Sequence, residues 1–206
     1  RPCGPVGALR GVLALAWGGG IQLKLCGAEV DVSSLVAVSM TRIMGAIMTG
    51  IILAGRTGAS YAAVIGTMQV NEEIDALTTL GVAPSDYLIM PRVLALTAMT
   101  PLLVLYSDFM GIMGGFIVGV GILGLDPMEY YTFTQKGFNI NNLWVGMVHG
   151  AVYGMLIAIT GCYQGLSCGR NAEAVGKATT SAVVYSIVGI VLSTAVLTIL
   201  CNILNI

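Results

Sequence analysis

Three ionisable side chains lie within long apolar stretches of the chain, at Arg42, Asp108 and His149. A charge at the centre of a bilayer costs about 2.5–3.5 kcal/mol on insertion scales, so each is expected to face a partner group or water. Arg42 could pair with Asp108 or extend to a membrane interface. Asp108 is expected to pair with a polar group between helices, with a proton relay as the alternative. His149, the only histidine, could be a titratable cation or a hydrogen-bonded packing group.

A second concentration of ionisable residues lies in the segment 55–92. The chain has nine basic and ten acidic residues, and this segment holds six of these nineteen, four of them acids. Asn71 can cap a short helix, with Glu72 and Glu73 in its positively polarised first turn. Gly81 followed by Pro84 can end that helix.

The short helix has one apolar stripe, because Ile74, Leu77 and Leu80 recur at every third position. Helices that lie on lipid headgroups favour Lys and Arg on their polar face. This helix instead has three acids and no base. The pattern favours a soluble protein partner over a helix lying on the membrane surface.

The overall composition indicates a membrane protein. Of 206 residues, 56% are apolar and 9% are charged, and the mean hydropathy is +0.90. Soluble domains carry about 25% charged residues, so much of the surface must face lipid or another subunit. The net charge of −1 argues against nucleic-acid binding, which needs a basic patch. The five cysteines form no CxxC pair, which argues against a metal site or a disulfide framework.

Crossing the hydrocarbon core takes about 20 helical residues, and five stretches approach or exceed this length. The predicted spans are 8–25, 32–55, 93–125, 143–165 and 178–206. The sequence therefore predicts an all-α polytopic membrane protein, with about five transmembrane helices and a short polar helix between the second and the third.

The basic residues predict the orientation of these spans. With five crossings, six basic residues lie on one side, against Lys24 and Lys136 on the other. By the positive-inside rule the six-residue side is cytoplasmic, and so is the segment 55–92. The opposite loop, 124–142, carries tyrosines and a phenylalanine that suit an interfacial belt. The six residues are Arg1, Arg10, Arg56, Arg92, Arg170 and Lys177.

Two separated groups of motifs resemble one family. The first group is GRTG at 55–58, AAVIGTM at 62–68, EEIDAL at 72–77 and PRVLA at 91–95. The second is GCYQG at 161–165, VGKATT at 175–180 and AVV at 182–184. In this order they closely resemble the MlaE/YrbE permeases, from about residue 11 to the end. Those proteins are membrane subunits of ABC systems of the Mla, Mce and TGD type, which move phospholipids and other lipids in double-membraned bacteria and plastids.

The resemblance implies that residues 1–206 form a single permease domain, without the N-terminal interfacial helix of relatives. Because the first residue is not Met, a fragment is expected. The implied assembly is a homodimer in the bacterial inner membrane with cytoplasmic ABC ATPases and periplasmic MCE-type lipid carriers. Phospholipid is the implied substrate, and outer-membrane lipid asymmetry the implied process. Since the chain has no GxxxxGK[ST] loop, ATP and magnesium are expected on the ATPase. This chain is expected to bind no cofactor and to catalyse no reaction.

The resemblance also implies roles for individual residues. The segment 56–92 corresponds to a cytoplasmic coupling segment, whose helix enters a groove on the ATPase and is pushed when the ATPases close. The implied coupling residues are Glu72, Glu73, Ile74, Asp75 and Leu77. The implied structural loop residues are Arg56, Gly58, Gly66, Pro91 and Arg92. The implied candidates for headgroup binding are Arg42 and His149.

The chain departs from the family pattern in three segments. Relatives commonly show Arg-Glu-Leu-Gly-Pro where this chain has RIMGA at 42–46, so Ile43 replaces an acid. Val64 stands where many relatives have Glu, and His149 with Gly150 replaces a Lys-Ser pair. These changes put the headgroup preference in question more than the fold.

Two functions of other classes fit the same residues. A small ion-coupled secondary transporter would use Asp108 and His149 as its relay, and proton-coupled uptake by the isolated chain would favour it. A scaffold that recruits a cytoplasmic enzyme would transport nothing. A co-purifying ATPase that is lost when the acids of the short helix are changed would favour the ABC permease.

Overall fold

The computed structural model describes residues 31–121 and 126–204, which form helices joined by short turns, with no strand among them. Helix α1 comprises the consecutive segments Asp31–Ser39, Met40–Met44, Gly45–Leu53, Ala54–Gly58 and Ala59–Val70. Its second and fourth segments are π-helical. The further helices are α2 (Glu73–Thr79), α3 (Ser85–Gly121, π-helical over Ser85–Ile89), α4 (Pro127–Gly137), α5 (Ile140–Leu166) and α6 (Ala172–Ile203).

Four of these helices are long and apolar enough to cross a membrane: Ala37–Val70, Ser85–Gly121, Ile140–Leu166 and Ala172–Ile203. They match the last four predicted spans, and the all-α polytopic prediction is confirmed. The first predicted span, 8–25, lies outside the described residues.

Helix α1 extends further than predicted. The predicted span ended at residue 55, where the polar segment begins, but the helix continues to Val70. The glycines beyond residue 55 do not interrupt it, because they face other helices. A Cβ at Gly58 would lie 3.2 Å from Ile157 Cγ2, and one at Gly66 would lie 3.3 Å from Val175 Cγ1. These glycines permit close helix packing and do not mark a turn.

The chain divides into two compact units. Unit 1 contains the described residues of Arg1–Thr49, Pro101–His149 and Leu200–Ile206, and unit 2 contains Gly50–Thr100 and Gly150–Ile199. In unit 1, a Cβ at Gly146 of α5 would lie 2.3 Å from the Thr41 carbonyl oxygen of α1. In unit 2, a Cβ at Gly154 of α5 would lie 2.1 Å from Thr100 Oγ1 of α3. Each unit thus contains a close approach between two helices at a glycine, where a larger residue would require a shift.

Candidate functional site

Helix α2 begins at an unusual backbone conformation. Glu72 is the N-cap residue with φ +59°, in the left-handed region. The prediction that Asn71 caps this helix is therefore wrong. Asn71 ends α1 instead, since its backbone N–H donates to the Thr67 carbonyl at 3.0 Å. Its side-chain amide donates to Glu73 Oε1 at 3.4 Å, so it reaches the first turn of α2 without capping it.

The end of α2 agrees with the sequence. Gly81 has φ +77°, a conformation that favours glycine because it has no Cβ. Its N–H donates to the Thr78 carbonyl at 3.1 Å, and the Val82 N–H donates to the Leu77 carbonyl at 3.2 Å. This pair of bonds is a Schellman motif, which satisfies the last carbonyl groups of the helix.

The apolar stripe of α2 is buried over only part of its predicted length. Ile74 is 6% exposed and packs with Ile65, Leu88 and Cys162, and Leu77 packs against this cluster. Leu80, by contrast, is 77% exposed. It lies beyond the last helical residue, Thr79, where the Schellman turn redirects the chain. The apolar stripe predicted from the spacing thus includes one residue, Leu80, that the structure leaves exposed.

An exposed apolar edge therefore follows α2. The large side chains of this edge are exposed, whereas Ile74 and Leu77 of α2 pack in the core of unit 2. The edge consists of Leu80, Val82, Tyr87 and Met90. Large exposed apolar patches mark contact with a protein or a membrane.

Arg170 binds two of the three acids of the α2 region. From the sequence, Arg170 served only to predict the orientation of the spans in the membrane. Arg170, in the connection between α5 and α6, donates from Nη2 to Asp75 Oδ2 at 2.7 Å. Its Nη1 lies 3.8 Å from Glu72 Oε1. No local pattern predicts this pairing, because 95 residues separate Arg170 from Asp75. Glu73 is exposed, with a contact to Asn71.

Arg42 lies in the first π-helical segment of α1, in unit 1. Its Nη1 donates to Asn142 Oδ1 at 3.3 Å, which directs the guanidinium toward the start of α5. It borders a groove of about 510 Å³ with a mostly apolar lining. The lining residues are Ser34, Leu35, Val38, Ser39, Arg42, Ile43, Met44 and Ile47. A cation beside an apolar groove is an arrangement that suits an amphiphile with an anionic head.

Asp108 is 4% exposed and packs against glycine. A Cβ placed at Gly45 would lie 1.7 Å from Asp108 Oδ1, so this carboxylate oxygen occupies space that only glycine leaves open. Within the described ranges Oδ1 has no hydrogen-bond partner. The expected pairing of Asp108 with a polar group is therefore absent at this oxygen.

His149 is buried, and its ring is tied to its own helix. Nδ1 lies 2.8 Å from the Val145 carbonyl oxygen, so Nδ1 carries the proton and donates it to this acceptor. The described lining of the groove beside Arg42 does not include His149. Unit 1 thus places the two headgroup candidates in different surroundings.

The family described as Permease MlaE matches residues 5–200 of the chain. The chain belongs to this family. A probable ABC transporter permease protein of Rickettsia typhi is 43% identical over 171 residues, which are 83% of this chain and 66% of that protein. A probable ABC transporter permease protein of Synechocystis sp. is 36% identical over 167 residues, 81% and 64% of the two chains.

Protein TRIGALACTOSYLDIACYLGLYCEROL 1, chloroplastic, of Arabidopsis thaliana is 33% identical over 171 residues, 83% of this chain and 49% of that protein. The chain therefore spans between 49% and 66% of the length of these three MlaE-type relatives. The resemblance drawn from the sequence motifs is confirmed.

The loop-motif residues of the MlaE pattern have several separate environments in unit 2. Arg56 is exposed in the second π-helical segment, and Gly58 and Gly66 are buried at helix contacts. Pro91 is exposed near the start of α3, whereas the neighbouring Arg92 lies with its guanidinium carbon 5.5 Å from the centroid of the Tyr61 ring. Only Arg92 among the bases of this motif has a recorded aromatic contact within the described residues.

The departures from the MlaE pattern also have defined positions. Ile43 lines the groove beside Arg42, where an acid would otherwise stand next to the guanidinium. Val64 is exposed on α1. The first substitution makes the groove more apolar and leaves Arg42 without an acidic neighbour in sequence.

Proposed function

We propose that the chain is the permease subunit of an ABC transporter that moves phospholipid or a related lipid. Membership of the MlaE permease family supports this proposal. Relatives are named as probable ABC transporter permease proteins. The Arabidopsis relative carries the name of a glycolipid, trigalactosyldiacylglycerol.

The proposed energy source is a cytoplasmic ATPase that docks on the α2 region. The exposed edge at Leu80, Val82 and Tyr87 is the single observation that carries this step. Ile74 and Leu77 fix α2 to the spanning helices, so a force applied at the edge reaches the core of unit 2. The sequence supplies no phosphate-binding loop of its own, and ATP and magnesium are assigned to the ATPase.

The proposed lipid-binding element is the groove beside Arg42. The guanidinium would meet the phosphate, since arginine donates two parallel hydrogen bonds to such groups. The apolar lining would contact acyl chains. Of the two candidates Arg42 is favoured, and His149, held by the Val145 carbonyl, is the second.

The remaining partners follow from the same proposal. A second copy of the permease would complete the lipid pathway, and a periplasmic MCE-type carrier would exchange lipid with it. The assembly would lie in the bacterial inner membrane with α2 on the cytoplasmic side.

The test is to purify the full-length permease with its associated proteins and to measure ATP-dependent lipid transfer between vesicles and the carrier. Leu80→Asp combined with Val82→Asp should remove a Walker-type ATPase, identified by mass spectrometry, and should abolish transfer. Met128→Asp is the matched control, because Met128 is 74% exposed and lies in α4. ATPase that stays bound to the edge variant would refute docking at this edge.

An ion-coupled secondary transporter is the second candidate, favoured by the buried Asp108 carboxylate. It requires uptake by the chain without any ATPase, driven by an ion gradient and lost in Asp108→Asn. Transport that needs ATP and ignores the gradient would exclude it.

A further inference from the structure

The acids of α2 are of two kinds. Glu72 and Asp75 both lie within reach of one guanidinium, that of Arg170. Glu73, between them in sequence, is directed elsewhere and contacts Asn71. A partner protein that approaches α2 thus meets Glu73, which does not contact Arg170. It also meets Glu72 and Asp75, which already contact Arg170.

The Arg170 contacts coincide with the unusual backbone of the region. Glu72 is the only non-glycine residue with positive φ among those the structure describes. Such conformations are uncommon for residues with a Cβ and persist where the surroundings hold them. The side chain of Glu72 is one of the two held by Arg170, so the same contact acts at the joint between α1 and α2.

We propose that Arg170 is a positioning residue that fastens α2 to the connection between α5 and α6. On the proposed function, the ATPase displaces α2. The displacement is transmitted to α1 and α3 through the backbone that joins them to α2, and to α6 through the contacts of Arg170. Arg170 lies two residues before α6 begins at Ala172. Exposed ion pairs add little to stability, so the role assigned to this cluster is orientation and transmission.

The Arg170 contacts also separate the residues available to the ATPase from those engaged within this chain. The ATPase would contact the apolar edge and Glu73, whereas Glu72 and Asp75 would serve the chain itself. Removing Asp75 should then uncouple the two proteins without separating them, which is the reverse of what a docking acid would do.

The first test needs no ATPase. Hydrogen exchange of the amides of α2 is measured in the full-length permease. Arg170→Gln, which retains most of the side-chain length, should accelerate exchange of Glu73–Thr79 at least threefold, and the charge swap Arg170→Asp with Asp75→Arg should reverse most of that change. Lys177→Gln, at an exposed base within α6, should change nothing. Unaltered exchange in Arg170→Gln would overturn the proposal.

The second test uses the complete transporter and measures lipid transferred for each ATP hydrolysed. Asp75→Ala should lower this ratio at least threefold while the ATPase stays bound, and the charge swap should restore it. Glu73→Ala should instead weaken ATPase binding. Loss of ATPase in Asp75→Ala, or a swap that restores nothing, would overturn transmission through Arg170. Absence of ATP-dependent lipid transfer in the wild type would refute the proposed function. The hydrogen-exchange experiment would then still show whether Arg170 holds α2.

Discussion

The α2 region of unit 2 and the intramembrane polar residues of unit 1 accommodate charge in opposite ways. At α2, Arg170 bridges two acids that water also reaches. In unit 1, the Asp108 carboxylate is 4% exposed and fits against Gly45. Exposed pairs form and separate at little cost, whereas a buried polar group is fixed by the shape around it. The first arrangement links two exposed segments of the chain, and the second fills the space that a glycine leaves between helices.

The strongest test of this contrast removes the apolar contact that holds α2. Ile74→Ala should destabilise the attachment of α2 by about 2–5 kcal/mol, since a buried isoleucine loses its contacts with Ile65, Leu88 and Cys162. Hydrogen exchange of Glu73–Thr79 measures the effect. Leu80→Ala, at a side chain that is 77% exposed, should change exchange little. Equal effects of the two substitutions would mean that α2 is not held by its buried face.

The corresponding change in unit 1 adds volume. Gly45→Ala would place a Cβ 1.7 Å from Asp108 Oδ1 and 3.0 Å from the Met40 carbonyl oxygen, and overpacking of this kind costs about 1–3 kcal/mol. Thermal unfolding in detergent measures the loss. Gly189→Ala is the control, because nothing lies within 4 Å of its Cβ position.

Adding Asp108→Ala to Gly45→Ala should restore part of the lost stability. A double variant as unstable as the single one would show that Asp108 does not define the space beside Gly45.

The groove beside Arg42 allows a test of charge without a change of fold. On the proposed function, Arg42→Ala should lower lipid transfer about tenfold, equivalent to about 1.4 kcal/mol, while the proposed dimer and ATPase binding survive. Arg42→Lys should retain much of the activity, because the positive charge remains. Ser39→Ala, which alters another residue of the groove lining, is the control. Unimpaired transfer by Arg42→Ala would remove the headgroup role.

The smallest expected effect concerns the turn after α2. Gly81→Ala should cost about 1 kcal/mol, because the left-handed conformation at φ +77° disfavours a Cβ, although the space around it is empty. Exchange of the Gly81 and Val82 amides reports it. Gly176→Ala, at an equally open position that lies inside a helix, should not destabilise. A neutral Gly81→Ala would contradict a turn fixed by backbone conformation.

Much of this fold is predictable from local composition. Four apolar stretches predict four long helices, because a run of about 20 apolar residues is typical of a membrane-spanning helix. Gly81 predicts the end of α2, because its backbone preference is a property of that residue. The acidic character of α2 and its buried Ile74 also follow from local spacing.

Other features depend on residues that are distant in sequence. The continuation of α1 past Gly58 to Val70 depends on α5 and α6, which give the glycines something to pack against. The contact of Arg170 with Asp75 joins the connection after α5 to helix α2, across 95 residues of sequence. Leu80 has the spacing of a buried position, and only the turn at Gly81 shows why it is exposed. Sequence periodicity cannot predict which of several acidic residues forms an ion pair with a distant basic residue.

The uninterrupted course of α1 has a mechanical consequence. Its membrane-length portion, Ala37–Val70, has 34 residues, about 50 Å at the helical rise, whereas a bilayer core is about 30 Å thick. Helix α1 is therefore longer than a perpendicular crossing needs, and only Asn71 and Glu72 separate its last residue, Val70, from α2. On the proposed function, a displacement of α2 is therefore passed to the end of α1 through two residues, with no longer loop between the helices.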